Sequence, residues 1–201
     1  METNFLSSPT EESPALSENA QFRKAVGSLL YLATVSRPDI AFAVGQLCRR
    51  VESPTQSDWK AVKRVIRYLA GSVSQKLRFS SEGNIKLTGF VDADWAGDHA
   101  DRKSTSALQW LRQLLADMEV PQDGPTKIYE DNQGCIKVAQ SDRCSQRTKH
   151  IDVRHHQLRD LCESGIVSLV YCPSSEMPAD VLTKPLGKDK FDRYLKLLGL
   201  Q

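Results

Sequence analysis

Three short segments carry carboxylates in settings that suit a metal ion: Val91-Asp92-Ala93-Asp94-Trp95, Tyr129-Glu130-Asp131-Asn132-Gln133 and Met177-Pro178-Ala179-Asp180-Val181-Leu182-Thr183-Lys184. Each places an Asp at an expected strand end or helix start. Carboxylates gathered on a rigid sheet repel one another unless hard cations lie between them, and an oxygen-only shell with room for water and phosphate suits Mg²⁺. Phosphodiester cleavage is the chemistry such a set serves, with Asp92, Asp131 and Asp180 as candidate metal ligands and catalytic residues.

Each candidate has a plainer alternative. Asp94 lies two residues from Asp92 and shares its face if the strand continues, so it could be the ligand or a supporting group. Asp131 could cap the helix after it, a place Asp favours. Asp180 could be a solvated first-turn helix residue, where acids are common without function. Glu130 is expected to face away from Asp131.

The elements that must position these groups follow from apolar spacing. Phe22, Val26, Leu29, Leu30 and Ala33 predict a helix over 21–34, and Pro38 opens a second helix with Ile40, Ala43, Val44, Leu47 and Val51 on one face. Ser53-Pro54 signals a third, running to Gly71, with Trp59, Val62, Val65, Ile66 and Leu69 on its buried side and Lys60, Lys63, Arg64 and Arg67 opposite. Residues 76–80 and 85–92 read as strands, the second ending at Asp92. A helix over 107–118, a strand over 126–130, helices over 132–140 and 150–164, a strand over 166–172, a helix from Pro178 and a last helix over 191–198 complete the chain. Residues 1–20, polar and acidic, read as a linker or extended lead-in.

Composition, at 40% hydrophobic and 26% charged over 201 residues, is that of an ordinary globular chain. No run is apolar enough to span a membrane and no secretory pattern opens the chain, so the expected location is intracellular. The five cysteines include no C-x-x-C pair and are expected to be free thiols; Cys144, His150 and His155 match no standard zinc spacing. The net charge of +2 hides segregation: residues 1–20 carry four Glu and no Lys or Arg, whereas Arg49 to Arg78 holds eight basic residues against Glu52 and Asp58. That stretch is either a polyanion-binding surface or a solvated helix face. His150, Asp152, His155 and His156 could serve a catalytic centre, but beside Lys149, Arg154 and Arg159 they read more simply as a hybrid-facing or solvated surface. Ser36, Arg37 and Asp39 read as capping residues.

Five ordered motifs give the chain a resemblance: Arg37-Pro38-Asp39-Ile40; Asp92-Ala93-Asp94-Trp95-Ala96-Gly97-Asp98 with Asp101-Arg102-Lys103-Ser104-Thr105-Ser106; Glu130-Asp131-Asn132-Gln133; Thr148-Lys149-His150-Ile151-Asp152-Val153-Arg154; and Ala179-Asp180-Val181-Leu182-Thr183-Lys184-Pro185. Together they resemble the C-terminal part of a copia-type LTR retrotransposon Pol polyprotein, the end of the reverse transcriptase followed by ribonuclease H. The resemblance implies an α/β chain: an acidic linker (1–20), a helical thumb or connection-like segment (21–75), a ribonuclease H-like mixed sheet flanked by helices (76–186) and a C-terminal helix (187–201). It also implies two Mg²⁺ ions at Asp92, Asp131 and Asp180, cleavage of the RNA strand of an RNA–DNA hybrid, and nucleic-acid contacts from Lys60, Lys63, Arg64, Arg67, Lys149 and Arg154. Expected partners are hybrid or duplex nucleic acid and the rest of Pol, with no membrane. The expected compartment is the cytoplasm, in a virus-like particle for the parent element, or the nucleus. The polymerase aspartates of the family match no residue here, so polymerase activity is not expected.

One departure matters. In the family, Asp101 to Ser106 is followed by two strands and then a helix that begins with a metal-binding Glu; here Ser106 runs directly into the end of that helix. Two typical strands, their turns and two helical turns amount to roughly 30 to 40 missing residues. The sheet is therefore expected to lack two strands and the site its fourth carboxylate, leaving an inactive fragment of marginal stability. The alternatives are a non-catalytic nucleic-acid-binding protein and, if the junction is a gene-model error, a working enzyme.

Overall fold

The computed structural model describes residues 13–79, 85–92, 100–140 and 152–201, with the side chains of 100–106, 135, 138–140 and 152–157 left aside. The described chain is mixed α/β and divides into two compact units, one formed by its first part with Asp180–Gln201, the other by residues up to Ala179.

The first unit is helical. In α1 (Asn19–Val35) Phe22, Val26, Leu29 and Ala33 recur every three or four residues and are buried. A 3₁₀ turn at Pro38–Ile40 leads into α2 (Ala41–Cys48), so the helix predicted from Pro38 begins in the tighter form. Arg37 stands at the N-cap of that turn without a side-chain cap bond, and with Asp39 it forms a buried bidentate ion pair. In α3 (Gln56–Gly71) the cap is Thr55 rather than Ser53-Pro54: Asp58 N–H donates to Thr55 Oγ1 and Thr55 N–H donates to Asp58 Oδ2. The buried stripe is Asp58, Ala61, Val62 and Val65. Ile66, expected inside, is 47% exposed because it lies one step around the helix from Val65.

Within the stretch read as a lead-in, Leu16 N–H donates to Pro54 O and Gln56 N–H to Pro14 O. Two later helices, α7 (Asp180–Thr183) and α8 (Lys188–Leu197), bury Val181, Phe191, Tyr194 and Leu195 with Leu200, and Tyr68 and Leu77 pack against them. The strand expected at 76–80 forms, in its described part, one antiparallel bridge between Leu77 and Leu200. Lys76 and Gln201 exchange backbone hydrogen bonds, Arg78 N–H donates to Gly199 O, and Gly199 adopts φ +79° there.

The second unit carries a three-stranded parallel sheet in the order β1 (Thr88–Val91), β2 (Thr126–Glu130), β3 (Val167–Tyr171). The first strand is shorter than the predicted 85–92. The Gln122 side chain takes its early backbone groups, accepting from Leu87 N–H and donating to Ile85 O. Helix α4 (Ala100–Asp117) starts seven residues before the predicted 107, absorbing the Arg102-Lys103-Ser104-Thr105-Ser106 run. Extending an existing helix costs far less than nucleating a new element, so residues with no strand to pair with continue it. Arg112 then fastens the α4–β2 loop through Gln122 O, Gly124 O and Thr126 Oγ1.

Helices α5 (Gln133–Gln140) and α6 (Asp152–Glu163) complete this unit; the predicted start of the latter, at 150, lies outside the described residues. Leu108, Ile128, Leu161 and Val167 form its core, and Cys172, Met177 and Ala179 form a second cluster against Tyr129. Among the described residues no helix is long and apolar enough to cross a membrane.

Candidate metal centre

Parallel strands finish at the same sheet edge, and Asp92 and Asp131 are the residues that directly follow β1 and β2. The register pairs Val91 with Glu130, so the two Asp residues leave adjacent strands side by side. A carboxylate oxygen of each lies within 4.8 Å of the other, and both side chains are half-buried. Two like charges at such a separation repel by roughly 3 kcal/mol at an effective dielectric near 20, less where water reaches them; a divalent cation between them reverses the sign.

Asp131 is not the cap of α5. Asn132 fills that role, its Oδ1 accepting from Gly134 N–H. Asp131 instead accepts from Ser174 Oγ–H at 2.8 Å. Glu130 is buried, and its Oε1 accepts from Asn132 N–H, which fixes the turn out of β2. Sequence reasoning missed Ser174, because a Ser in a Pro-Ser-Ser loop carries no distinguishing spacing.

Asp180 opens α7, in the helical unit. Far from being a solvated first-turn acid, its side chain is 3% exposed, with Lys184 Nζ donating to Oδ1 at 3.1 Å and Lys190 Nζ donating to Oδ2 at 2.8 Å. Lys190 also lies over the Tyr194 ring, 5.3 Å from its centroid. Burial pushes the Lys190 ammonium down, but the hydrogen bond and charge of Asp180 outweigh it and hold the pKa above the usual value.

Asp92 and Asp131, within the second unit, are oxygen donors of the kind that could hold a hard divalent ion. Near the start of α4 the acid is Asp101, whose side chain lies outside those described. Asp117 closes that helix, about 25 Å along it, and accepts from Gln113. Asp94, Lys149, His150 and Cys144 lie outside the described residues, as do the side chains of Asp152, Arg154, His155 and His156.

On α3, Lys60, Lys63, Arg64 and Arg67 are all exposed on one side of the helix. The Lys63 ammonium sits 5.7 Å from the centre of the Trp59 ring. Among the described residues none of these cations is paired with a carboxylate.

The chain is similar to the retrovirus-related Pol polyprotein from transposon TNT 1-94 of Nicotiana tabacum, at 33% identity over 217 residues, covering 89% of this chain and 16% of that protein. It is similar to the retrovirus-related Pol polyprotein from transposon RE2 of Arabidopsis thaliana at 30% identity over 223 residues, 92% of this chain and 15% of that protein. Over 89 residues, 44% of this chain and 63% of the relative, it is 46% identical to secreted RxLR effector protein 161 of Plasmopara viticola. No family model matches, and no solved structure matches. The chain spans about a sixth of the length of the two polyproteins. The first alignment is longer than the chain itself: 89% of 201 residues is about 179, so some 38 of its 217 positions have no counterpart here. By sequence the chain belongs to the retrovirus-related Pol polyproteins of transposons, the family whose copia-type members its motifs resemble.

Proposed function

We propose that the chain is a Pol fragment whose residues 76–186 descend from a ribonuclease H domain, and that it lacks turnover. One observation carries this reading: Asp92 and Asp131 emerge together from the ends of adjacent parallel strands. The resemblance implies Asp180 as the third ligand. Bound divalent ions would supply activation of a water and stabilisation of the departing 3′ oxygen of the RNA strand. This chain's residues would hold those ions and orient the phosphate between them.

In this reading, loss of the family's metal-binding Glu is what removes turnover. The family's Glu belongs to the segment that the junction after Ser106 omits, and the 38 unmatched positions agree in size with two strands and two helical turns. A site short of one ligand holds its ions weakly and aligns the water poorly, and losses of several orders of magnitude in rate are ordinary for such defects. Long-read cDNA across Ser106-Ala107 separates this reading from a complete enzyme: transcripts carrying the segment would restore the active assignment.

The test is equilibrium Mn²⁺ binding. Asp92→Asn and Asp131→Asn should each weaken binding about tenfold or more, as loss of a carboxylate ligand does. Unchanged affinity in both would end the metal reading.

The exposed cations of α3 favour a second role, gripping duplex nucleic acid through its phosphates. Such binding needs no base contacts and no turnover.

A further inference from the structure

The Asp131 carboxylate is held by a residue to which the ligand reading gives no role. Ser174 Oγ–H donates to Asp131 Oδ2 at 2.8 Å, from 43 residues further along the chain and within the same compact unit. Strand register builds this encounter. Glu130 pairs with Tyr171, and Cys172 N–H donates to Glu130 O at 2.9 Å, so the chain leaving β3 runs past the end of β2 and sets the turn Ser174–Glu176 beside Asp131. That turn is anchored at both ends: Cys172 before it and Met177 after it are buried together against Tyr129, and Glu176 N–H donates to Pro173 O. The backbone around Asp131 is braced as well, since Glu130 Oε1 accepts from Asn132 N–H. A side chain on a pinned turn can fix the orientation of its partner, whereas one on a loose loop cannot.

We propose that Ser174 is a positioning residue of the metal centre: its hydroxyl keeps the Asp131 carboxylate turned so that one of its oxygens stays within 4.8 Å of an Asp92 oxygen. This rests on the reading of Asp92 and Asp131 as metal ligands. A hydroxyl suits the task. It is uncharged, so it orients Asp131 without cancelling the negative charge that attracts a cation, and its single proton leaves the carboxylate other lone pairs for an ion. Without that bond a half-buried Asp at a strand end turns among its rotamers, and ion binding must bear the cost of ordering it. Hydrogen-bond partners of metal ligands contribute about tenfold or more to affinity in this way.

The experiment is Mn²⁺ titration of the full chain, read by loss of the free-ion magnetic resonance signal, with urea unfolding of each variant alongside. S174A should weaken Mn²⁺ binding about tenfold, and S174T, which keeps the hydroxyl, should bind as the parent does. The loss should largely disappear when Asp131→Asn is already present. If S174A does not fold, S174C serves, with a weak donor at the same place and a smaller loss that Asp131→Asn again removes. A loss that S174T does not restore, or that persists in full beside Asp131→Asn, would overturn the inference, since it would come from the loop as a whole. Unchanged affinity, whatever the urea midpoint, would overturn it too and mark a purely structural bond; the metal reading would stand if Asp131→Asn still weakened binding. Unchanged affinity together with indifference to Asp92→Asn and Asp131→Asn would overturn both.

Discussion

Replacing Asp39 by Asn removes one charge from the best-formed ion pair in the helical unit and leaves its shape nearly intact. Arg37 Nε and Nη2 donate to the two Asp39 oxygens at 2.9 and 2.7 Å, and the side chains are 9% and 0% exposed. Arg37 also donates to Ser72 O and Ser72 Oγ, which ties the turn before α2 to the end of α3. Its hydrogen bond to Asp39 outweighs burial and raises the guanidinium pKa, so the group cannot shed its proton to escape. Asp39→Asn therefore strands a charge in the interior, and breaking a buried pair in this way costs about 3–5 kcal/mol. With a urea slope of about 1–3 kcal/mol per molar, the midpoint falls by roughly 1 M or more. Trp59, which packs against Phe22 in this core, reports the transition once the other two of the three tryptophans, Trp95 and Trp110, are changed to Phe. The apolar pair R37M/D39L removes both charges and should recover most of the loss. A cost below about 1 kcal/mol for Asp39→Asn, or a double variant no better than the single, would refute the argument.

Three further outcomes follow from particular residues. Gly199→Ala places a Cβ 2.8 Å from Arg78 O at a φ of +79°, so melting should show a loss of about 1–3 kcal/mol; a change within about 0.5 kcal/mol would contradict this. Burial raises the pKa of the Cys48 and Cys162 thiols, with the charge of Glu163 adding at Cys162; burial and then the Asp39 hydrogen bond raise Tyr68; and Lys190 is also raised. A folded pKa above the unfolded one contributes stability that is complete below the unfolded value and lost as pH climbs through the folded one. Urea midpoints should therefore hold near neutrality and fall from about pH 9 upward, where the thiols, at 9.0 in the unfolded chain, start to ionise; a flat or rising midpoint there would be the contrary result. Exchanging Lys63 and Arg67 for Gln should weaken duplex binding at every sequence and lower the slope of log affinity against log salt by about 2, whereas a parent slope near zero would exclude the α3 surface as a phosphate grip.

Much of this architecture was readable from residue spacing because the signals were local. Val26, Leu29 and Ala33 follow a helical period, and Thr126 to Glu130 is bounded by Pro125 and a turn, so α1 and β2 are where spacing puts them. Asp92 and Asp131 each follow a strand, as the spacing before them predicts. What escaped depended on distant partners. The shortening of β1 comes from Gln122, and the Leu77–Leu200 bridge joins residues 123 apart in the chain; neither leaves a mark on its neighbours. The lysines of Asp180 split the same way: Lys184 stands at helical spacing from it, while Lys190 reaches it from another helix. The early start of α4 escaped because Asp101 to Ser106 was read by its resemblance, as a run that in the family leads into strands.

The most direct measurement is incubation of the full chain with a labelled RNA–DNA hybrid in Mg²⁺ and in Mn²⁺, beside Asp131→Asn. On the proposed reading, in which the two-metal set lacks one carboxylate, no cleavage of the RNA strand above the level of that variant is expected. Metal-dependent cleavage that disappears in Asp131→Asn would contradict the account, because it would require another group to complete the site.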